Sequence, residues 1–379
     1  MSRFRLALFT GNYNHIQDGV SLTLNRLVRY LLDNDVEVLV FGPTIAEPAL
    51  DHAGTLIPVP SIPAPGRPEY RVSVSFPKKT KKQLQEFNPD LIHIASPDIL
   101  GYKAMKWALK HEKTVVSSYH THFTSYLKYY RLSLLEPLLW RYLSWFYRNC
   151  RQLYVPTPSM VDVLNEKGIE CDMKIWARGI ETDRFSPGKR DEAWRQKQGF
   201  GSEDVVVTFV SRLVWEKNLK VYADVLKKLM QNYNHAKAMV VGDGPAGEEL
   251  KAILPDAVYT GFLKGEELSR AYASSDVFFF PSDTETFGNV TLEAMASGLP
   301  CVVADAVGSK SLVQHEVNGF LAPAEKSDFF YTYIEKLITE SEQRQKMGDA
   351  SLEKAKEYSW GAINGKLLSF YEQILNQDS

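Results

Sequence analysis

The sequence predicts an α/β protein made of two doubly wound, Rossmann-like domains facing a cleft. Three observations carry that expectation. The opening "RLALFTGNYNHIQDGVSLTLNRLVRYLLDNDVEVLVFG" runs as apolar strand, glycine-containing loop, amphipathic helix and second apolar strand. Further along, "DVVVTFVSRLVWEKNLKVYADVLKKLMQNYNHAKAMVVGDGP" repeats that order. Short apolar runs alternating with helices of period roughly 3.6 are the pattern of parallel β-α-β units, whose crossovers cover both faces of a sheet. The third observation is size, since 379 residues suffice for two such cores.

Within the first half, "PDLIHIAS", "KTVVSSYHTHF" and "CRQLYVPTP" read as buried strands that end in polar residues; in the second half "AVYTGFL", "SDVFFFPS", "PCVVADA" and "GFLAP" do the same. The turn-rich "KIWARGIETDRFSPGKR" reads as the linker. A boundary near Pro187 gives domains of residues 1–186 and 187–359, with 360–379 left over at the end.

Charge and composition remove several classes of function. The net charge is −2, and the one sustained basic run, "KKTKK" at 78–82, reads as a solvated face, so no nucleic-acid partner is expected. Cys150, Cys171 and Cys301 have no metal-ligand spacing and cannot make a complete disulfide framework, which suits a reducing cytosol. The apolar run of "MSRFRLALFTGN" is too short for a signal sequence and reads as a first buried strand. No stretch approaches the about 20 apolar residues of a membrane span. A cytoplasmic location is expected, with any membrane contact peripheral.

Parallel sheets bind ligands outside the carboxyl ends of their strands, so the polar residues that close each strand are where chemistry is sought. After "VVVTFV" comes "SRLVWEKN", with Arg212 and Lys217 between a strand end and a helix start, where two cations suit a diphosphate. A solvated loop pair is the alternative. After "DVFFFPS" comes "SDTETFGNVTLEAMASGLP", with Glu285 in the loop, Gly288 permitting close backbone approach, and Glu293 a little over a turn into a helix. Carboxylates on either side of an amide-rich helix start suit a ligand with sugar hydroxyls flanking phosphates, the alternative being solvated acids. His120 and His122 lie at a strand end, but no third histidine or cysteine is near, so no metal site is expected. "DND" at 33–35 falls between a helix and the next strand, at the wrong end of the sheet for a ligand, and reads as a turn. "VGDGPAGEEL" lacks the Lys-Ser/Thr of a P-loop.

Together "SRLVWEKN", "VGDGP", "FPSDTETFG", "ETFGNVTLE" and "EAMASGLPCVVAD" resemble the retaining nucleotide-sugar glycosyltransferases of family 4, of GT-B fold, over almost the whole chain. "PSIPAPGRPEYRVSVSFP" and "IWARGIETDRFSP" are similar to members that glycosylate lipids, the GDP-mannose-dependent α-mannosyltransferases and the sulfoquinovosyl diacylglycerol synthases. The resemblance implies an N-terminal acceptor domain, a C-terminal donor domain, and a closing segment 360–379 that crosses back onto the first. It implies that Glu285 holds hydroxyls of the donor sugar, Glu293 the ribose, and Arg212 with Lys217 the diphosphate. Backbone at Phe287, Gly288 and Asn289 would meet sugar and phosphates, His120 would lie near the donor sugar carbon, and Gly19 with Val20 would fall in the loop over the phosphates. That loop reads "QDGV" where a Gly-Gly pair is common.

The expected function is therefore retaining transfer of a hexose, mannose from GDP-mannose by preference, to a lipid or glycan acceptor, without cofactor or metal. A UDP-sugar-dependent transferase, a nucleotide-sugar epimerase and a non-catalytic nucleotide-sugar-binding protein are the alternatives. Residues 126–151, "YLKYYRLSLLEPLLWRYLSWFYRNCR", set Lys128, Arg131, Arg141, Arg148 and Arg151 beside Trp140, Trp145, Phe146 and several tyrosines. This segment admits two readings: contact with an anionic membrane on its inner face, or a helix burying its aromatics against the first sheet.

Overall fold

The computed structural model describes residues 3–64, 67–119, 136–285 and 287–377. The chain divides into two compact units, Met1–Ala177 with Ile363–Ser379, and Arg178–Ala362. The divisions thus fall at 177/178 and 362/363, where the sequence pattern suggested 186/187 and 359/360. Local packing accounts for the shift. Ile180 N–H donates to the Tyr358 carbonyl at 2.8 Å, Gly179 lies against the Trp360 indole, and Pro187 packs on Gly298, so residues before Pro187 already belong to the second unit.

In the first unit the order is β1 (Arg5–Phe9), α1 (Gly19–Asp33), β2 (Glu37–Gly42), β3 (Thr55–Pro58), β4 (Ser61–Ala64), β5 (Arg67–Ser73) and α2 (Lys78–Phe87). Then come β6 (Leu91–Ile94), α3 (Ile99–Lys110), β7 (Val115–Ser118), α4 (Glu136–Arg148), β8 (Gln152–Val155), α5 (Pro158–Glu166) and β9 (Met173–Ile175). Seven strands form one parallel sheet, β3-β2-β1-β6-β7-β8-β9, and β4-β5 form a separate antiparallel hairpin. β1 and β6 are buried along nearly their whole length, as strands covered on both faces must be. α1 buries Leu24, Leu27, Val28 and Leu31, and ends in the turn Asp33–Asp35, where Asp35 takes φ 61°. Phe9, Phe41, Phe76, Leu84, Ile92, Met105 and Phe146 share one apolar core.

The second unit runs α6 (Glu192–Lys197), β10 (Val205–Val210), α7 (Leu219–Asn232), β11 (Ala236–Val241), α8 (Gly247–Ile253), β12 (Val258–Gly261), α9 (Gly265–Ala273) and β13 (Val277–Phe280). It continues as α10 (Asn289–Ala296), β14 (Cys301–Ala304), α11 (Val307–Lys310), β15 (Gly319–Ala322), α12 (Ser327–Thr339) and α13 (Ser341–Lys356). Its sheet is parallel in the order β12-β11-β10-β13-β14-β15, so the winding direction reverses between β10 and β13. The fully buried Arg195 donates to Asp276 at 3.0 Å and to the carbonyls of Ser274 and Asp204 at 2.7 and 2.8 Å, fixing α6 to the start of β13. The final helix, α14 (Trp360–Gln377), passes into the first unit, where Tyr371 bonds His93 Nδ1 at 2.6 Å and His93 Nε2 bonds Ser118 at 2.9 Å.

Candidate functional site

In an open parallel sheet, the place where strand order reverses leaves a crevice between two diverging loops. In the second unit those loops leave β10 and β13, and they carry the two segments singled out from the sequence. Lys217 Nζ donates to Glu285 Oε1 at 2.7 Å and to Thr284 Oγ1 at 2.9 Å, while Asn218 Nδ2 donates to the Pro281 carbonyl at 2.9 Å. Lys217 and Glu285 are 15% and 25% exposed, so this ion pair is partly desolvated and reachable. Arg212 is exposed, and its guanidinium has no bonded partner among the described residues. Lys217, expected with Arg212 to face a diphosphate, is therefore already paired with the first glutamate. Arg212 is the less committed cation.

The glycines around this crevice answer a packing requirement. A Cβ on Gly242 would stand 1.9 Å from the Ser211 carbonyl oxygen, and one on Gly244 2.4 Å from that of Leu213. Backbone bonds lock the two segments together, Leu213 N–H to Asp243 O and Ala246 N–H to Leu213 O, each at 3.0 Å. "VGDGP" is thus the buttress of the Arg212 loop. Gly308 lies equally close to the Glu285 carbonyl, its would-be Cβ 2.6 Å away. Gly288 takes φ 88° and caps α10, whose first residue is Asn289, and Phe287 is buried edge-on against Tyr358.

Glu293 lies on α10 and accepts a hydrogen bond from the buried Tyr272 hydroxyl at 3.0 Å. Burial pushes its carboxyl up to about 7, against the opposing pull of Tyr272 and of the Arg184 charge. Sequence reasoning missed Tyr272, because α9 carries no motif and only the fold brings it to α10. It missed Thr284 and Asn218 for the same reason.

In the first unit Gly19 and Val20 are the first residues of α1, and their surroundings are anionic. Asp18 caps the helix, its Oδ1 accepting from the amides of Val20 at 3.0 Å and Ser21 at 2.8 Å, and its Oδ2 from Asn12 Nδ2 at 2.8 Å. Gly19 and Val20, expected in a loop over the phosphates, thus open a helix instead, and the Val20 amide is taken by a carboxylate standing where the resembled family commonly has glycine. His120, His122 and Thr286 lie outside the described residues, as does 126–135 of the basic aromatic segment. Its remainder, α4, buries Trp140, Leu143, Phe146 and Tyr147 against the core. This corrects the membrane reading for Trp140 and Phe146, which are core residues. Trp145 and Tyr142 are partly buried, and Leu138 and Arg141 are exposed. Among the described residues no cluster of three or more His, Cys, Asp or Glu is placed to hold a metal ion, and no helix is long and apolar enough to cross a membrane.

Comparison with known proteins agrees with this geometry. Residues 190–354 match the family described as glycosyl transferases group 1, and residues 17–184 match glycosyltransferase family 4. The chain is 30% identical over 375 residues to a GDP-mannose-dependent alpha-mannosyltransferase of Corynebacterium glutamicum, covering 98% of this chain and 89% of that one. It is 31% identical over 357 residues to a sulfoquinovosyl transferase of Arabidopsis thaliana, covering 92% and 69%. An alpha-monoglucosyldiacylglycerol synthase of Streptococcus pneumoniae is 26% identical over 333 residues, covering 84% and 75%. Among solved structures, sucrose-phosphate synthase from Thermosynechococcus elongatus superposes with a TM-score of 0.72 at 18% identity, covering 99% of this chain and 100% of that one. Two Rossmann-like parallel-sheet domains of this kind are the GT-B architecture of hexosyltransferases. The chain belongs to the family 4 glycosyltransferases.

Proposed function

We propose that the protein transfers mannose from GDP-mannose, with retention of anomeric configuration, to a hydroxyl of a lipid or other membrane-associated acceptor, and that it needs no metal. The observation that carries this reading is the Lys217–Glu285 pair beside the open Arg212 at the switch point of the second unit. As the sugar–phosphate bond breaks, negative charge grows on the diphosphate; Arg212, Lys217 and the amides opening α10 answer it without a cation from solution. Binding of a diphosphate next to Lys217 would draw that ammonium from Glu285, freeing the carboxylate to accept from donor-sugar hydroxyls. Glu293, with Tyr272 holding one of its oxygens, offers the other to a ribose diol. The developing phosphate charge is then the base for the acceptor proton on the same face of the sugar, and His120 is the residue assigned to that neighbourhood.

The mannosyltransferase relative supports the donor, and the glucosyldiacylglycerol relative supports a lipid acceptor. A UDP-sugar donor is the second reading, and a sulfoquinovosyl group is the sugar that the plant relative's similarity would then suggest. Titration calorimetry with GDP and UDP, in chelator, separates them. GDP should bind more tightly, and Lys217→Ala should weaken that binding and lower turnover about a hundredfold to a thousandfold. Tighter UDP binding removes the mannose assignment, and activity lost in chelator and restored by manganese removes the metal-free mechanism.

For the membrane contact, the described surface supplies more than α4. Tyr102 on α3 packs on Tyr142 and Trp145 of α4, with ring centroids 6.3 and 5.7 Å apart, and Lys106 lies over the Tyr102 and Trp145 rings. Ile99, Leu109 and Leu138 are exposed around them. Lysines above amphipathic rings suit the headgroup level of an anionic bilayer. The protein should float with anionic vesicles at low salt, and Lys106→Glu with Arg141→Glu should release it; flotation unchanged by the pair would place the contact elsewhere.

A further inference from the structure

We infer that Trp215, on the turn between Arg212 and Lys217, is a specificity-determining residue whose indole stacks on the C–H face of a pyranose ring in the crevice of the second unit. The inference rests on the glycosyl-transfer reading and deepens it, because it names the part of the ligand that this wall of the crevice selects.

Trp215 is 40% exposed, and it is the one exposed tryptophan of the seven in the chain. Among the described residues its ring packs on no other ring, no cation lies over it and its Nε1 has no acceptor. An indole left in water forgoes the stabilisation that burial of its apolar face would give. A single exposed apolar side chain is ordinary on a protein surface, but the place of this one is not. It opens the short turn Trp215–Lys217 at the carboxyl end of β10, between the exposed Arg212 and the Lys217 ammonium that reaches Glu285.

The backbone that presents the ring has little room to move. Leu213 is buried and tied to the segment after β11, the Lys217 amide donates to the Val214 carbonyl at 3.0 Å, and the Asn218 amide donates to the Trp215 carbonyl at 3.0 Å. Asn218 takes φ 55°, a left-handed conformation that costs a residue other than glycine, and its side chain is held on the Pro281 carbonyl. The exposure of Trp215 is therefore a property of a fixed turn. Arg212 and Lys217 answer a diphosphate and Glu285 accepts from sugar hydroxyls, so a residue between them meets the ligand where phosphate ends and sugar begins. A pyranose carries hydroxyls around its edge and C–H groups on its faces. The edge suits Glu285 and Thr284. The face suits an indole, which sheds water on contact and whose Nε1–H can donate to a neighbouring hydroxyl. Cations on both sides disfavour an ammonium or guanidinium as the partner of this ring, which leaves a neutral face. The donor's hexose and the sugar of a glycan acceptor both present such a face.

Tryptophan fluorescence of the full chain reads the contact, and Trp215→Phe supplies the difference spectrum that isolates one indole among seven. A bound nucleotide sugar, GDP-mannose or UDP-glucose, should shift the Trp215 emission to shorter wavelength, whereas GDP or UDP should leave it in place. By calorimetry, Trp215→Ala should bind the nucleotide sugar about tenfold more weakly than wild type while holding the diphosphate as tightly, and Trp215→Phe should keep most of the affinity. Methyl α-mannoside added to the GDP-bound protein is the second arm: if it shifts the emission and the nucleotide sugars do not, the ring takes the acceptor's sugar. Three results overturn the inference: no sugar-bearing ligand shifts the emission, Trp215→Ala weakens diphosphate and nucleotide sugar alike, or anionic vesicles shift the emission and sugars do not. If Trp215→Ala fails to fold, the comparison of wild type with Trp215→Phe still decides. A protein that binds neither GDP nor UDP fails the transferase reading, whereas one that binds them and shows no sugar response fails this inference alone.

Discussion

At the scale of single residues, the carboxylates of Glu285 and Glu293 stand in different surroundings. Glu285 meets a lysine, whereas Glu293 meets a tyrosine hydroxyl and a low-dielectric helix face. With its carboxyl raised to about 7, Glu293 holds its proton more tightly folded than unfolded. Its contribution to stability is thus fully present below the ordinary carboxylate range and is lost as pH rises through about 7. Glu293→Gln removes that loss, so its melting temperature relative to wild type should rise between pH 5.5 and pH 8. Nucleotide affinity should run the other way in wild type. The ionised carboxylate accepts from a ribose diol better than the acid does, so affinity should increase across the same interval, and in Glu293→Gln it should be low and flat. Calorimetry at both pH values checks it, and a wild-type affinity flat across pH 7 would remove Glu293 from ribose binding. The residues were legible in the sequence through the family resemblance, but the charge and burial that set their behaviour were not. Glu293 stood out by its spacing from Glu285 and by the family resemblance, neither of which shows Tyr272, and Lys217 and Glu285 are 68 positions apart, joined only because β10 and β13 are neighbours.

At the scale of elements, the two glycines of "VGDGP" were legible as part of the family pattern but not as a support. Their role depends on Ser211–Leu213 lying backbone-to-backbone against them. Gly242 takes φ 135°, which a side chain resists, and its missing Cβ is where the Ser211 carbonyl sits. Gly242→Ala should cost roughly 2–4 kcal/mol through strain and overpacking. Because the displaced segment carries Arg212, nucleotide affinity should fall as well, even in variant protein shown to be folded at low denaturant. Denaturant unfolding with calorimetry on the same samples measures both, and a loss below about 1 kcal/mol would mean the loops can part freely. The hairpin β4-β5 gave no strand signal for a related reason. Pro60 and Pro63 argue against a strand within a sheet, and the structure accommodates them by setting this ribbon apart from the parallel sheet. The Asp18 cap shows the converse case: Asp-x-x-Ser before an amphipathic run is a readable helix start, and the structure forms it with both reciprocal bonds.

Across the whole molecule, two parallel sheets were legible because fully buried strands must be apolar throughout, and such runs recur with helices between them. Where one unit stops was not, since that depends on which sheet a segment finally packs against. The closing helix was expected to cross back onto the first unit, and the structure fixes the residue where it does so. From Ile363 onward it buries Ile363, Asn364, Leu367, Leu368, Tyr371 and Ile374, and these residues belong to the first unit, together with the Tyr371–His93–Ser118 chain of hydrogen bonds. Burying each large apolar side chain contributes about 1.5–3 kcal/mol, so the five together rival the whole stability of a domain, roughly 5–15 kcal/mol. Ending the chain after Ala362 would also take the Tyr371 hydroxyl away from His93 Nδ1. The second unit, Arg178–Ala362, keeps all of its residues in that truncation. The shortened protein should therefore lose the thermal transition of the first unit while keeping a cooperative transition that nucleoside diphosphate still raises. Differential scanning calorimetry with and without the nucleotide resolves the two. Loss of both transitions would mean that the second unit depends on the other to fold, and survival of both would mean that the closing helix is dispensable to the sheet it covers.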